Sequence, residues 1–283
     1  MTDLAVLPDA ELRDLVSQVV GPDTTEPMGA YLFAHDEPGA ELARTVERSV
    51  FCEAFGNTPD LLDEEYGAYE SNSIFFCVID HLRRVPAGMA RIILPSPYGP
   101  GLKSLNDIES QWGVPVKTLL RQNNLPLPVD RTWDWATLAV GPAYQGAAAA
   151  GLVSMGLYQA MTMSAVHCQV DWMVAIMDHP VFRMLQKVLH RGFTAFDGLP
   201  PRPYLGSTAS LPIWLRGTDL RRRLIDKDPT LGDLIFEGIG LEPALRRVDP
   251  DHPRLAAWVA GEHWSGGTAH PEGRSSQLVT ASY

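Results

Sequence analysis

The chain reads as an α/β protein with one mixed sheet and helices on both faces, and three features predict it. Two neighbouring apolar runs, residues 73–79 and 88–94, are joined by a short polar link and read as adjacent antiparallel strands. An alternating aromatic run from Thr132 meets Gly141 and Pro142, turns through Gln145 and Gly146, and opens a long uncharged helical pattern. A further apolar run, residues 170–177, follows that helix, which is the order of a strand–helix–strand crossover. No G-x-G-x-x-G occurs at a strand end, which argues against a doubly wound dinucleotide fold.

Taken in order, residues 4–20 predict an amphipathic helix with Leu12, Leu15, Val16 and Val19 on one face. Residues 30–34 suit a first strand. Residues 40–55 predict a helix carrying Leu42, Val46, Val50 and Phe51, closed by Gly56. The acidic stretch 60–70 reads as a loop. After the strand pair come two short helices, near 105–112 and 116–122, and then the central strand and helix. Pro180 suits the first position of a helix reaching to about His190. Strands are expected at 193–196 and 210–215, separated by a Gly/Pro-rich link, with further helices near Leu220 and Asp233. This divides the chain into a helical extension over 1–28, a central α/β unit over 29–216 and a helical extension over 217–264. A Gly/Ser-rich tail over 265–283 reads as disordered.

The bulk composition narrows the function classes. With 45% hydrophobic residues and a net charge of −11, the 283-residue chain has ample material for a core and no global basic field. Nucleic acid is therefore not an expected partner. Cys52, Cys77 and Cys168 are widely spaced in apolar surroundings, as buried reduced thiols are, and no Cys/His cluster offers a metal site. Met1-Thr2-Asp3-Leu4 lacks the basic and apolar regions of a signal peptide, so a cytoplasmic protein is expected. The uncharged stretch 143–170 is rich in Ala, Gly, Ser and Met and contains Gln159 and His167. It suits a buried central helix better than a membrane span.

The turn at the end of the central strand is the main functional signal. Backbone amides at a helix N-terminus, bare of large side chains, make an anion cradle. Gln145, Gly146, Ala147, Ala148, Ala149 and Ala150 offer one, suited to the pyrophosphate of an acyl carrier such as coenzyme A. The same small residues would also allow an ordinary close strand-to-helix turn.

Val140-Gly141-Pro142-Ala143-Tyr144-Gln145-Gly146-Ala147-Ala148-Ala149-Ala150 resembles the acyl-carrier loop of the GNAT superfamily of N-acyltransferases. Four further segments are similar to motifs of the acyl-homoserine-lactone synthases and the long-chain N-acyl amino acid synthases within it. They are Arg48-Ser49-Val50-Phe51, Tyr69-Glu70 before the strand at Ser73, Gly88-Met89-Ala90-Arg91, and Trp133-Asp134-Trp135-Ala136-Thr137. Asp134 stands where that motif has Glu, and Thr137 stands where it has Arg. The resemblance implies a GNAT-like fold and transfer of an acyl group from an acyl-CoA or acyl carrier protein thioester to a small-molecule amine. It implies no permanently bound cofactor.

Such a transfer needs a deprotonated amine and a stabilised oxyanion. Asp134, between two tryptophans on the central strand, is the first candidate base; it could instead pair with Arg91 or Arg131. Glu70 is a candidate for binding the amine, or an exposed loop acid. A backbone N–H between Leu138 and Val140 is the candidate oxyanion donor, and both residues belong to the expected carrier site. Many superfamily members use a Tyr in the helix after the next strand as thiol acid. That helix here has none, leaving Tyr144, Tyr158, Asp178 and His179 as substitutes. Two rivals remain: an inactive acyl-carrier-binding module, and a short-chain acetyltransferase acting on an antibiotic or metabolite. The amine, the acyl length and the oligomeric state are left open.

Overall fold

The computed structural model describes residues 8–22, 24–145 and 150–261. Helix α1 (Asp9–Val19) leads to strand β1 (Met28–Ala34), helix α2 (Ala40–Phe55) and helix α3 (Pro59–Gly67). Strands β2 (Ser73–Asp80) and β3 (Val85–Ile93) follow, then helix α4 (Lys103–Asp107), which continues in a π turn through Trp112, and helix α5 (Val116–Gln122). The centre is strand β4 (Thr132–Val140), helix α6 (Ala150–His167), strand β5 (Trp172–Asp178) and helix α7 (His179–Val188). Strands β6 (Thr194–Ala195), β7 (Arg202–Tyr204) and β8 (Ser207–Arg216) precede helices α8 (Gly217–Lys227) and α9 (Pro229–Gly232). Strand β9 (Leu245–Arg246) and helix α10 (Pro253–Val259) end the described part.

The strands form one mixed sheet in the order β6-β8-β5-β4-β3-β2-β1-β9, with β7 paired to β8. β2 and β3 are antiparallel, as the short link between them requires, and β4 runs parallel to β5 across the α6 crossover. β2 is buried along its whole length, which is why its sequence is a continuous apolar run rather than an alternating one. α2 covers one face with Leu42, Ala43 and Val46 against Phe75, Cys77 and Met89. It ends where Gly56 adopts a φ of 67°, a left-handed conformation open to glycine at no steric cost.

α6 covers the other face and is itself covered, so it is apolar all round. Gln159 is 1% exposed within it, and its side-chain amide donates to the Leu234 carbonyl at 2.9 Å. Gly156 lets β9 approach: a Cβ there would lie 2.6 Å from a Leu245 methyl. Among the described residues, no helix is long and apolar enough to cross a membrane.

Three expectations need correction. Residues 59–67 are helical rather than loop, because Thr58 accepts from the Leu61 N–H at 3.2 Å and Pro59 starts the helix, burying Leu62 and Tyr66. The Gly/Pro-rich link carries the three-residue strand β7. Residues 217–259 are not only helical: β9 joins β1, and Leu224, Phe236, Leu245 and Leu255 share the main core with α6. The expected tail over 265–283 and the residues before Pro8 lie outside the described residues.

Candidate active site

The sheet parts at its centre. β4 pairs with β5 only through Thr132, Trp133 and Asp134, opposite Trp172, Met173 and Val174. Beyond that point β4 stays with β3 as far as Val140, opposite Gly88, and β5 stays with β8 as far as Asp178, opposite Ser210. The cause lies in β4. Arg91 faces Thr137 and Ile92 faces Trp135, so Ala136 is an extra residue, a β-bulge that bends the strand away from β5. The bulge also sets Ala136 and Thr137 towards the α2–α3 face, while Trp135 and Leu138 lie with the core under α6.

A cavity enclosing about 140 Å³ occupies the gap. Its α6–α7 side is apolar, with Trp135, Leu138, Met161, Met177, Val181 and Leu185. Tyr158 also lines it, is 6% exposed, and its hydroxyl has no hydrogen-bond partner among the described residues. Burial pushes the Tyr158 phenol up to about 12, so it stays protonated across the neutral range. The opposite side carries Phe51, Tyr66, Thr137, Tyr204, Ser207 and the carboxylate of Asp178. Asp178 accepts from the Ser207 hydroxyl at 2.5 Å.

The sequence-based candidates fall at different distances from this cavity. Leu138 lines it, and Val140 ends the strand that forms its edge. Gln145 is exposed, and its side-chain amide donates to the Val140 carbonyl at 2.8 Å, closing the strand end. Gly146, Ala147, Ala148 and Ala149 lie outside the described residues, and Ala150 is the first residue of α6. Tyr144 is turned away: its hydroxyl donates to Asp80 at 2.8 Å and fastens the turn to β2. Arg183, Lys187 and Arg191 are exposed on and just after α7.

Asp134 is not brought to the cavity wall. It is fully buried, and it accepts from the Ser104 N–H and the Ser104 hydroxyl, each at 2.6 Å. Desolvation raises its carboxyl to about 6, against the opposing pull of the two Ser104 hydrogen bonds. Glu70 lies in an ion-pair network, accepting from Arg91 at 2.7 Å and from Arg44 at 2.5 Å. Burial alone would raise its pKa, but Arg91 and then Arg44 bring it below the usual carboxylate value.

Sequence reasoning missed the centre of that network. Glu47 is 2% exposed and meets Arg91 through two hydrogen bonds, at 3.1 and 2.6 Å, and the Thr137 hydroxyl donates to it as well. Its signal was present: a Glu on the apolar face of α2, where a buried charge requires a partner. Lys103 is the second missed group, 3% exposed and bonded to Glu65 at 2.7 Å and Asp107 at 2.6 Å beneath Tyr204. Among the described residues no cluster of His, Cys, Asp and Glu could hold a metal ion.

No family model matches the chain, and no curated protein matches it in sequence. Solved structures do. BjaI, a CoA-dependent acyl-homoserine lactone synthase solved with MTA, is 14% identical with a TM-score of 0.53 over 81% of this chain and 97% of that one. The same synthase with SAM and isopentyl-CoA gives a TM-score of 0.52 at 13% identity. FeeM, an N-acyl amino acid synthase from uncultured soil microbes, gives 0.52 at 17% identity over 72% of this chain and 98% of that one. The resemblance read from the motifs thus holds at the level of the fold, and the chain has a GNAT-like acyltransferase fold.

Proposed function

We propose that the protein is an N-acyltransferase that moves an acyl group from a CoA or acyl-carrier-protein thioester to a small-molecule amine by direct attack. The parting of β4 and β5 carries this reading, because it opens a cleft beside an unpaired strand edge leading towards the N-terminus of α6. A carrier's extended arm could lie in the gap and pair with that edge, with its anionic end at residues 145–150. The fold shared with BjaI and FeeM supports the same reaction class.

In this reading the amine attacks the thioester carbonyl beside the bulge. A backbone N–H between Leu138 and Val140 meets the oxyanion, and the C–S bond breaks to release the thiol. The apolar wall from Trp135 to Leu185 favours an acyl chain longer than acetyl, since each buried methylene contributes about 0.8 kcal/mol. Asp134 acts as a positioning residue that holds the start of α4 through Ser104. Glu70 keeps Arg44 and Arg91 in place.

A thiol-release assay with acyl-CoA and acyl-carrier-protein donors of graded length, against a broad amine panel, tests the reading. Amine-dependent thiol release is expected. Tight donor binding with no amine acylated would replace it with a carrier-binding regulatory module.

A further inference from the structure

The cavity between the parted strands continues outward. Tyr204, Leu205 and Ser207 line both it and an open vestibule whose other walls include Glu65, Asp107 and Gln111. Across the linings of both, the ionisable groups other than tyrosines are Asp178, Glu65 and Asp107, and no Lys or Arg is present among the described residues. Lys103 lies beneath the vestibule floor, 3% exposed, with its ammonium on Glu65, Asp107 and the Tyr204 hydroxyl. One cation thus faces two carboxylates there, and Asp178 adds a third negative charge whose hydrogen-bond partner is the neutral Ser207.

Among the described residues, the neighbouring groove on the α2–α3 side offers no free cation either. Arg91 lies between Glu47 and Glu70, Arg44 between Glu41 and Glu70, and Arg48 between Glu41 and Asp63. An acceptor carrying a carboxylate would meet lining carboxylates on either approach and would find the guanidiniums of the groove already held. At the vestibule's edge the exposed Arg202 donates to the Gln111 carbonyl. An ammonium group would be drawn in. Deeper in, Tyr158 lines the same cavity, and its hydroxyl has no hydrogen-bond partner among the described residues, so it is free to meet a polar ligand atom.

We propose, on the basis of the acyltransferase reading above, that the vestibule and the Asp178–Ser207 pair form the acceptor subsite, and that it takes cationic primary amines that bear no carboxylate. Asp178 receives the ammonium and takes one of its protons. The freed amine attacks the thioester carbonyl and forms the C–N bond. The C–S electron pair leaves with sulfur, which takes the second nitrogen proton to become the thiol, and Asp178 returns its proton to solvent. Ser207 positions the Asp178 carboxylate through its hydrogen bond.

The test pairs amines with their carboxylated counterparts, phenethylamine with phenylalanine and cadaverine with lysine, using one acyl-CoA donor that the protein binds. The decarboxylated member of each pair is expected to show at least about a tenfold higher kcat/KM. Asp178→Asn is expected to lower kcat/KM for amines about a hundredfold while the thermal midpoint and acyl-CoA affinity hold, with partial recovery in Asp178→Glu. Equal or better use of the amino acids, or full activity in Asp178→Asn, overturns the acceptor assignment and leaves the transferase reading standing. Acyl-CoA binding with no amine acylated overturns both.

Discussion

On the α6–α7 side of the parted strands the cavity wall is Trp135, Leu138, Met161, Met177 and Leu185, which pack in the main core. On the α2–α3 side, Glu47, Arg91, Glu70, Arg44 and Thr137 form a continuous ion-pair and hydrogen-bond network. The two walls should respond differently to substitution. Apolar packing tolerates changes of volume with graded losses, whereas a buried ion pair deprived of one partner leaves a charge that nothing else satisfies. Under the proposed transfer, the first wall would be the adaptable one for an acyl chain and the second a rigid, charged frame beside it.

The largest expected effect tests the rigid wall. Glu47→Ala leaves the Arg91 guanidinium, 5% exposed, with Glu70 as its remaining carboxylate and two of its N–H donors unpaired. It should destabilise the protein by about 3 kcal/mol in urea denaturation. Replacing both members with Met should restore most of that loss. If the single change costs under about 1 kcal/mol, the network does not hold this wall.

Asp134 gives the next effect, one that depends on pH. Its folded carboxyl, raised to about 6, holds a proton more tightly than the unfolded chain does. The stability linked to that proton is fully present below about pH 4 and is lost as pH rises through about 6, a component of about 3 kcal/mol. Asp134→Asn should remove it. The stability difference between wild type and variant should therefore shift by about that amount between pH 4 and pH 7. A difference that stays flat across this range would mean the carboxylate is better solvated than its burial indicates.

The adaptable wall should respond more mildly. Ala175, 4% exposed and facing the gap, would fill part of it as Phe. Ala175→Phe should weaken binding of long-chain acyl-CoA more than tenfold and of acetyl-CoA much less, by calorimetry. Equal losses for both donors would place the acyl chain elsewhere. The smallest effect is expected at Gln145, exposed and bonded only to the Val140 carbonyl. Gln145→Ala should change stability by less than about 0.5 kcal/mol in thermal unfolding while lowering donor affinity a few-fold.

Much of the fold was legible because it is local or periodic. The continuous apolar run of β2 and the helical repeat of α2 with its terminal Gly56 appear where the sequence placed them. The helix at Pro59–Gly67 was missed because its acidic composition outweighed a Thr-Pro start and the spacing of Leu62 and Tyr66. β9 was missed because a two-residue strand has no periodicity to read. The site was less legible. Trp133, Asp134 and Trp135 announced an unusual strand, but whether its carboxylate faces a ligand depends on Ser104, thirty residues earlier in the chain.

The sequence by itself determined the class of fold, the central strand–turn–helix and the apolar character of α6, since strand alternation, helical spacing and turn residues act between near neighbours in the chain. Only the tertiary structure decided that β4 leaves β5 after Asp134, that Asp134 is sealed by Ser104, and that Asp178 meets Ser207 in the gap. Strand register, burial and hydrogen-bond pairing between distant segments fix those outcomes, and the desolvation that sets each carboxylate's chemistry exists only once the segments have packed.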